Sequence, residues 1–172
     1  MVRLLEALAF SADKHRGQTR KDEDRTPYIY HPIALTRVLA VEAGVTDIET
    51  LMAALLHDTI EDTDATEAEL RARFGNSVAA VVMEVTDDTS LRKAERKQKQ
   101  VERAPHLSQR ARLVKLADKT CNLRDVANNP PAGWPTERRR EYFDWAREVI
   151  DGLRGTHAGL EAIFDAAYAL RP

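Results

Sequence analysis

An apolar run that leads straight into a histidine and three carboxylates is the feature that most restricts how this chain can fold. The run spans residues 51–56, and the polar residues that follow it are His57, Asp58, Glu61 and Asp62. No lysine or arginine occurs between Arg37 and Arg71. Acids that lose water beside one another repel, and a cation is needed to offset that cost. The fold must therefore bring a cation to this segment, and a bound metal ion is the simplest candidate.

The spacing of these residues predicts two turns of a buried helix. Residues four apart lie on one helix face, so we expect His57 above Glu61 and Asp58 above Asp62. Neighbouring helical residues diverge by about 100°, so His57 and Asp58 cannot complete a metal site by themselves. The remaining ligands must come from other helices.

Helical periodicity dominates the whole sequence, and strand-like alternation is nearly absent. Pro32 and Gly44 predict a helix from Pro32 to about Ala43, and Asp47, Thr66, Asn76 and Thr136 are predicted to cap later helices. Gly75, Ser108 and His157 mark further helix boundaries. The chain has 172 residues and is 43% hydrophobic, which is enough for one core. It shows no internal repeat and no interdomain linker. The sequence predicts an all-α fold in a single domain, residues 1–172.

Composition restricts the partners and the compartment. The net charge of −2 gives no argument for nucleic acid or an anionic membrane as a partner. No apolar run approaches the roughly 20 residues that span a bilayer, and the N-terminus lacks the pattern of a signal peptide. The single cysteine, Cys121, cannot form an internal disulfide and suits a reducing compartment. We expect a cytoplasmic domain that binds neither nucleic acid nor membrane.

Two further residues are candidate metal ligands. His31 stands at the start of a predicted helix, where Pro32 fixes the backbone, and Asp118 is embedded in a mostly apolar helix. Together with His57 and Asp58 they would give two nitrogen and two oxygen ligands, with room for water or substrate. A mixed set suits manganese, iron or zinc better than calcium or magnesium.

Purely structural interpretations stay open for each residue taken alone. His31 could be a hydrogen-bonded surface histidine, and Asp118 could form an ion pair with Lys115 or Lys119. An adjacent buried pair such as His57-Asp58 has few structural uses. The appearance of all these residues in one order on successive helices favours the metal site.

That order resembles the HD-domain metal-dependent phosphohydrolases. The chain is most similar to the hydrolase half of the Rel/Spo alarmone enzymes, on the motifs at residues 15–18, 20–21, 27–32, 53–63, 74–75, 114–119 and 122. Residues 84–88, the basic helix after them, 133–134 and 141–143 resemble the small stand-alone hydrolases of the metazoan SpoT homologue type. The resemblance covers roughly residues 4–168.

The resemblance implies an activity and a metal site. Such enzymes remove the 3′-pyrophosphate of guanosine tetraphosphate and pentaphosphate (ppGpp and pppGpp) with one Mn²⁺ ion. The ligands it implies are His31, His57, Asp58 and Asp118. Glu61 and Asp62 match the catalytic acidic pair, and we expect Glu61 to be the base and Asp62 its partner. Ligand type alone would also permit iron or zinc.

The resemblance also implies the substrate-binding residues. These are Arg20, Lys21, Tyr28, Lys93, Asn122, Arg138 and Tyr142. An arginine plane such as that of Arg20 can stack on a purine. Structural alternatives remain here too, because Tyr142 could pack in the core against Trp145, and Lys93 and Arg138 could lie on solvated helix faces.

Two other functions stay open. The same fold and metal could serve a phosphatase of another phosphorylated nucleotide, such as NADPH, because sequence spacing does not reveal where the sugar lies. A non-catalytic nucleotide sensor is the second alternative. The intact set of ligands and acids argues against it, because a sensor has no need of an activated water.

Overall fold

Ten α-helices make up nearly all the regular structure in the computed structural model, which describes residues 1–172. In chain order they are α1 (Val2–Lys14), α2 (Tyr30–Arg37), α3 (Ile48–Leu56), α4 (Thr59–Asp62), α5 (Glu67–Phe74), α6 (Asn76–Val85), α7 (Lys93–Arg103), α8 (Gln109–Asn128), α9 (Thr136–Asp151) and α10 (Ala158–Tyr168). The predicted all-α fold is confirmed. None of these helices is both long and apolar enough to cross a bilayer.

Helix α8 lies at the centre of the structure. It contacts α2, α3, α6, α9 and α10, and its buried residues occur around most of its circumference. The buried hydrophobic side chains form one cluster that runs from Ala7 in α1 to Ala167 in α10. Because α8 is surrounded in this way, an acid in its middle, such as Asp118, is held inside the protein rather than at its surface.

Most of the predicted helix boundaries are confirmed. The side chains of Asp47, Thr66 and Ser108 cap α3, α5 and α8 by accepting a backbone N–H three residues ahead. Asn76 and Thr136 were expected to cap helices, but each is the first residue of its helix, one position later. A one-residue offset of this kind is common at helix ends, because capping and first-turn positions favour similar residues.

The helix predicted from Pro32 to Ala43 differs at both ends. Helix α2 starts earlier, at Tyr30, and places Pro32 in its first turn, where the backbone N–H has no helical partner and proline costs little. The chain then continues as a π-helical segment, Val38–Glu42. Gly44 ends it with φ +69°, as predicted, in the left-handed region that glycine adopts most easily.

We expect Asp47→Ala to lower the free energy of unfolding by about 0.5–2 kcal/mol, the usual cost of losing an N-cap. The Asp47 carboxylate accepts from the N–H of Thr50 at 3.2 Å and from Arg110 Nε at 2.7 Å. Urea unfolding measures the change. Asp64→Ala is the control, because Asp64 is exposed and contacts Lys14 at the surface. An equal loss in the two variants would contradict the capping role.

Candidate active site

The four predicted metal ligands lie together where α2, α3, α4 and α8 meet. His31 Nε2 is 3.3 Å from Asp118 Oδ1 and 3.9 Å from Asp58 Oδ2. His57 Nε2 is 2.8 Å from Asp58 Oδ2 and 4.0 Å from Asp118 Oδ1. Metal–ligand bonds to nitrogen and oxygen are about 2.0–2.2 Å long, so two donors to one ion lie at most about 4.4 Å apart. The spacing of these atoms fits a single ion.

Helix α3 ends before the ligand pair, so the expected continuous helix through the acid cluster is wrong. The carbonyl of Ala54 accepts from His57 Nδ1 at 2.9 Å. The carbonyl of Leu56 accepts from Thr59 Oγ1 at 2.7 Å. Both side chains bind carbonyls that a continuing helix would offer to its next backbone N–H groups. The chain turns at Asp58, with φ −99° and ψ −1°, and adjacent ligands thereby converge on one centre.

The ring of His57 shows why a cation fits this centre. Nδ1 carries the proton, because its partner, the Ala54 carbonyl, can only accept. As a metal ligand the ring must be neutral, and its Nε2 is then an acceptor that is buried without a hydrogen-bond partner. It faces carboxylate oxygens of Asp58 and Asp118, which are also acceptors. A positive charge between these atoms removes the repulsion, and the donor set indicates a site for a divalent metal ion.

The charges at the centre keep both carboxylates ionised. Burial is the largest single influence on His57 and would lower its pKa, but Asp58, Asp118 and the Ala54 carbonyl together raise it. Burial would likewise raise the pKa of Asp58, yet His57 and His31 together hold it below its ordinary value. Lys119 and His31 overcome burial at Asp118 and hold its pKa well below the usual range. Metal ligands must be deprotonated, and these acids meet that requirement at neutral pH.

Asp118 forms an ion pair with a lysine, which was its structural alternative, and it also lies at the centre. Lys119 Nζ is 3.3 Å from Asp118 Oδ2 and 4.3 Å from the ring centroid of Trp145. Asn122 Nδ2 donates to Asp118 Oδ1 at 2.6 Å. Lys115 instead donates to the carbonyl of Val85. Asp118 is thus oriented from two sides, as ligating carboxylates usually are.

Glu61 is turned toward the loop that follows α6. Its Oε2 accepts from the backbone N–H of Asp87 at 2.9 Å, and its Oε1 is 3.7 Å from Arg96 Nη1. Burial is the main cause that raises the pKa of Glu61 to about 7, and the charges of Asp87 and Asp58 add to it. A carboxyl group with this pKa exchanges protons readily at neutral pH.

Asp62 faces the opposite way, into the cavity described below. Its backbone carbonyl accepts from Gln18 Nε2 at 2.8 Å. Burial, followed by the charge of Asp58, raises the pKa of Asp62. The charge of Asp58 thus acts on both acids of the predicted catalytic pair, and of the two only Asp62 lines the cavity. The division of roles between them stays a prediction.

A cavity of about 720 Å³ opens beside the centre. His31 and Asp62 line it, so the cavity and the metal centre are continuous. Its volume is in the range of small-molecule sites. Six of the predicted substrate-binding residues also line it: Arg20, Lys21, Tyr28, Lys93, Asn122 and Tyr142.

Arg20 is fixed within this cavity. Its Nη2 donates to Asp125 Oδ2 at 2.6 Å and to Asn122 Oδ1 at 3.1 Å. Its guanidinium carbon lies 5.8 Å from the centroid of the Tyr28 ring. Tyr142 combines both of its interpretations, because it lines the cavity and also packs edge-on against Trp145 at 5.3 Å.

The predicted residue Arg138 does not line the cavity itself. Its guanidinium lies 4.3 Å from the ring centroid of Trp134, a lining residue, and Lys93 Nζ lies 5.9 Å from the same ring. Burial lowers the pKa of Lys93, and the nearby charges of Arg138, Lys21 and Arg96 lower it further. Both Lys93 and Arg138 are exposed, so a solvated position also describes them. A group of like charges beside a cavity nevertheless favours a polyanionic ligand.

The structure adds residues that the sequence interpretation did not select for the site. They are Gln18, Asp87, Arg96, Asp125 and Trp134. A signal existed for Asp125, which continues the polar stripe of Asp118 and Asn122 along α8. None existed for Arg96, because it is one of many cations in α7 and its contact with Glu61 depends on how two helices pack.

Comparison with known proteins assigns the family. A model of the HD domain matches residues 7–145. The chain is 56% identical over 158 residues to the guanosine-3′,5′-bis(diphosphate) 3′-pyrophosphohydrolase MESH1 of Danio rerio, covering 92% of this chain and 88% of that protein. It is 57% identical over 160 residues to MESH1 of Homo sapiens, covering 93% and 89%.

A solved structure is similar along nearly the full chain. It is described as "A metazoan ortholog of SpoT hydrolyzes ppGpp and plays a role in starvation responses", and it matches with a TM-score of 0.96 at 51% identity, covering 99% of this chain and 96% of that one. The chain belongs to the HD-domain family and, within it, to the MESH1 group of guanosine-3′,5′-bis(diphosphate) 3′-pyrophosphohydrolases.

Proposed function

We propose that this protein hydrolyses the 3′-pyrophosphate of ppGpp and pppGpp, giving GDP or GTP and pyrophosphate. The observation that carries the proposal is the continuity of the centre formed by His31, His57 and Asp118, with Asp58 beside it, and a cavity lined by cations and aromatic side chains. The activity named for relatives more than half identical to this chain supports the same substrate.

The metal in this proposal is one Mn²⁺ ion, held by His31, His57, Asp58 and Asp118. When bound, such an ion polarises phosphoryl oxygens and makes water more acidic. The support from this chain is its mixed nitrogen and oxygen donor set, which fits manganese and also permits iron or zinc.

Hydrolysis needs a proton acceptor and a defined leaving group. Glu61 takes the proton of the attacking water, because burial raises the pKa of its carboxyl group to about 7 and the N–H of Asp87 holds that group in place. Asp62, on the cavity side, orients the water or the substrate. The water oxygen bonds to the phosphorus next to the ribose 3′-oxygen, and the bond between that phosphorus and oxygen breaks. The leaving 3′-oxygen gains a proton from solvent and becomes the ribose hydroxyl, Glu61 returns its proton to solvent, and pyrophosphate is released.

The substrate has a purine at one end and phosphates at the other, and the cavity residues divide accordingly. The plane of Arg20 stacks on the base, with Tyr28 on its other side. Lys21, Lys93 and Arg138 bind phosphate groups, which is consistent with their mutual proximity. Asn122 and Tyr142 bind the ribose and phosphates between these ends. These roles are supported by the lining of the cavity and, for Arg138, by its contact with the lining residue Trp134.

The pH dependence follows from Glu61. A base must be deprotonated, so we expect kcat/KM to rise with pH through the pKa of Glu61 and to level off above it. That pKa is about 7 in the metal-free protein, and a nearby cation lowers it. The midpoint of the acid limb in the Mn²⁺-loaded enzyme should therefore lie below the midpoint that carbon NMR measures for Glu61 without metal. An unchanged acid limb in Glu61→Gln would contradict the assignment.

Product analysis tests the function. Protein stripped of metal is incubated with ppGpp, with and without Mn²⁺, and the products are separated by anion exchange. We expect GDP and pyrophosphate in the presence of Mn²⁺ and neither in its absence. Turnover of NADPH but not of ppGpp would replace the proposal with the phosphatase alternative. Binding of ppGpp without turnover would replace it with the sensor.

A further inference from the structure

We propose that Tyr28 is a positioning residue for the carboxylate of Asp58, with its ring packed against His15, Arg20 and His31. The resemblance implied instead that Tyr28 binds the substrate, as part of a wall beside the nucleotide base. This inference rests on the proposed metal site, because it concerns how one ligand of that site is held.

The hydroxyl of Tyr28 is already engaged within the protein. It donates to Asp58 Oδ2 at 2.5 Å, and the same oxygen lies 2.8 Å from His57 Nε2. An ionised carboxylate can only accept, so the phenol is the donor in this bond. One oxygen of the carboxylate therefore has a fixed direction before any ligand binds. Hydrogen bonds of this kind orient metal ligands and commonly change metal affinity by about 10–100-fold when removed.

The ring of Tyr28 is packed against three side chains. The imidazole of His15 stacks on it, with centroids 4.7 Å apart and planes inclined by 30°. The guanidinium carbon of Arg20 lies 5.8 Å from the ring centroid. His31 meets the ring edge-on at 6.0 Å. The hydroxyl cannot swing away from Asp58 without displacing these neighbours.

The buried imidazole of His15 is itself braced. His15 Nδ1 lies 2.7 Å from Gln18 Oε1, and Gln18 Nε2 donates to the carbonyl of Asp62. The carbonyl of Asp62 can only accept, so its partner must be the amide nitrogen of Gln18. The amide oxygen of Gln18 then faces His15 and accepts from its Nδ1. The N–H of Tyr28 donates to the carbonyl of Gln18 at 2.9 Å. His15 and Gln18, which are not among the proposed metal ligands, thereby hold Tyr28 against α4.

The test is Tyr28→Phe, which keeps the ring and removes the hydroxyl. Mn²⁺ is titrated into the metal-stripped protein, and kcat and KM for ppGpp are measured at saturating Mn²⁺. We expect Mn²⁺ to bind about 10–100-fold more weakly and kcat to fall, with KM near the wild-type value. Unchanged Mn²⁺ affinity, or a change confined to KM, would overturn the inference in favour of a wall role.

Tyr168→Phe is the matched control. Tyr168 also donates its hydroxyl to an aspartate, Asp144, at 3.1 Å, but on the face formed by α9 and α10. It should leave Mn²⁺ affinity and kcat unchanged. Thermal unfolding of both metal-free variants separates loss of folding from loss of positioning. An equal loss of Mn²⁺ affinity in the control would count against a specific role for Tyr28.

A double-variant cycle shows whether Tyr28 acts through Asp58. Asp58→Asn should weaken Mn²⁺ binding, and adding Tyr28→Phe to it should have little further effect. A full additional loss in the double variant would overturn the inference alone. If Asp58→Asn itself binds Mn²⁺ as tightly as the wild type, the proposed metal site fails, and the inference fails with it.

Discussion

Asp58→Ala is expected to abolish metal binding and to lower kcat/KM for ppGpp by on the order of 10³ or more. In the proposed metal site this side chain is one of four ligands, and it lies 2.8 Å from His57 Nε2 and 3.9 Å from His31 Nε2. A bound metal ion contributes several kcal/mol of charge stabilisation to hydrolysis, and each 1.36 kcal/mol corresponds to a factor of ten in rate. Metal content after dialysis against Mn²⁺, measured by mass spectrometry, checks the first part.

Asp144→Ala provides the control for this experiment. Asp144 also accepts a tyrosine hydroxyl and pairs with an arginine, Arg171, at 2.7 Å, but it lies away from the centre. It should retain both metal and activity. Circular dichroism of metal-free Asp58→Ala confirms that the helices are intact. Metal bound at wild-type stoichiometry and affinity in Asp58→Ala would remove Asp58 from the ligand set.

Glu61→Gln is expected to keep the metal and to lower kcat by about 10²–10⁴, the usual contribution of a general base. Glutamine has nearly the same shape, and its carbonyl oxygen can still accept from the N–H of Asp87. It cannot take a proton from water. A steady-state assay at saturating Mn²⁺, together with metal analysis, separates the loss of the base from the loss of the ligand site.

Two comparisons make the result specific. Glu84→Gln is the matched control, because Glu84 also accepts a backbone N–H, that of Ser108 at 2.7 Å, outside the candidate site. It should leave kcat unchanged. Asp62→Asn tests the rival acid. Full activity in Glu61→Gln with a large loss in Asp62→Asn would transfer the role of base to Asp62.

The sequence predicts the helices well because their boundaries depend on local chemistry. Asp47, Thr66 and Ser108 cap helices through bonds that span three residues, and such bonds can be inferred from neighbouring letters alone. The order of the ligands along successive helices was also accessible, since it depends on residue type and family pattern. The centre formed by His31, His57 and Asp118 agrees with that prediction.

The remaining features depend on competition between a side chain and the helix backbone or on contacts between distant segments. The turn at Asp58 forms because the side chain of His57 binds the carbonyl of Ala54 in place of a backbone N–H. Helical periodicity does not reveal this competition. The raised pKa of Glu61 comes from burial beside the loop at Asp87, 26 residues away. Arg96 reaches Glu61 because of how α7 packs, and nothing in the sequence distinguishes Arg96 from the other cations of α7.

The hydrogen bonds that hold Arg20 in place have a consequence for affinity. A free arginine loses about 1.5–2 kcal/mol of side-chain entropy when it is immobilised, and a binding site made of mobile arginines incurs that loss each time a ligand arrives. Here Asp125 and Asn122 immobilise the guanidinium in the ligand-free protein. The side-chain entropy of Arg20 is therefore lost when the protein folds and not when a ligand binds. A base that stacks on Arg20 keeps more of its interaction free energy as affinity.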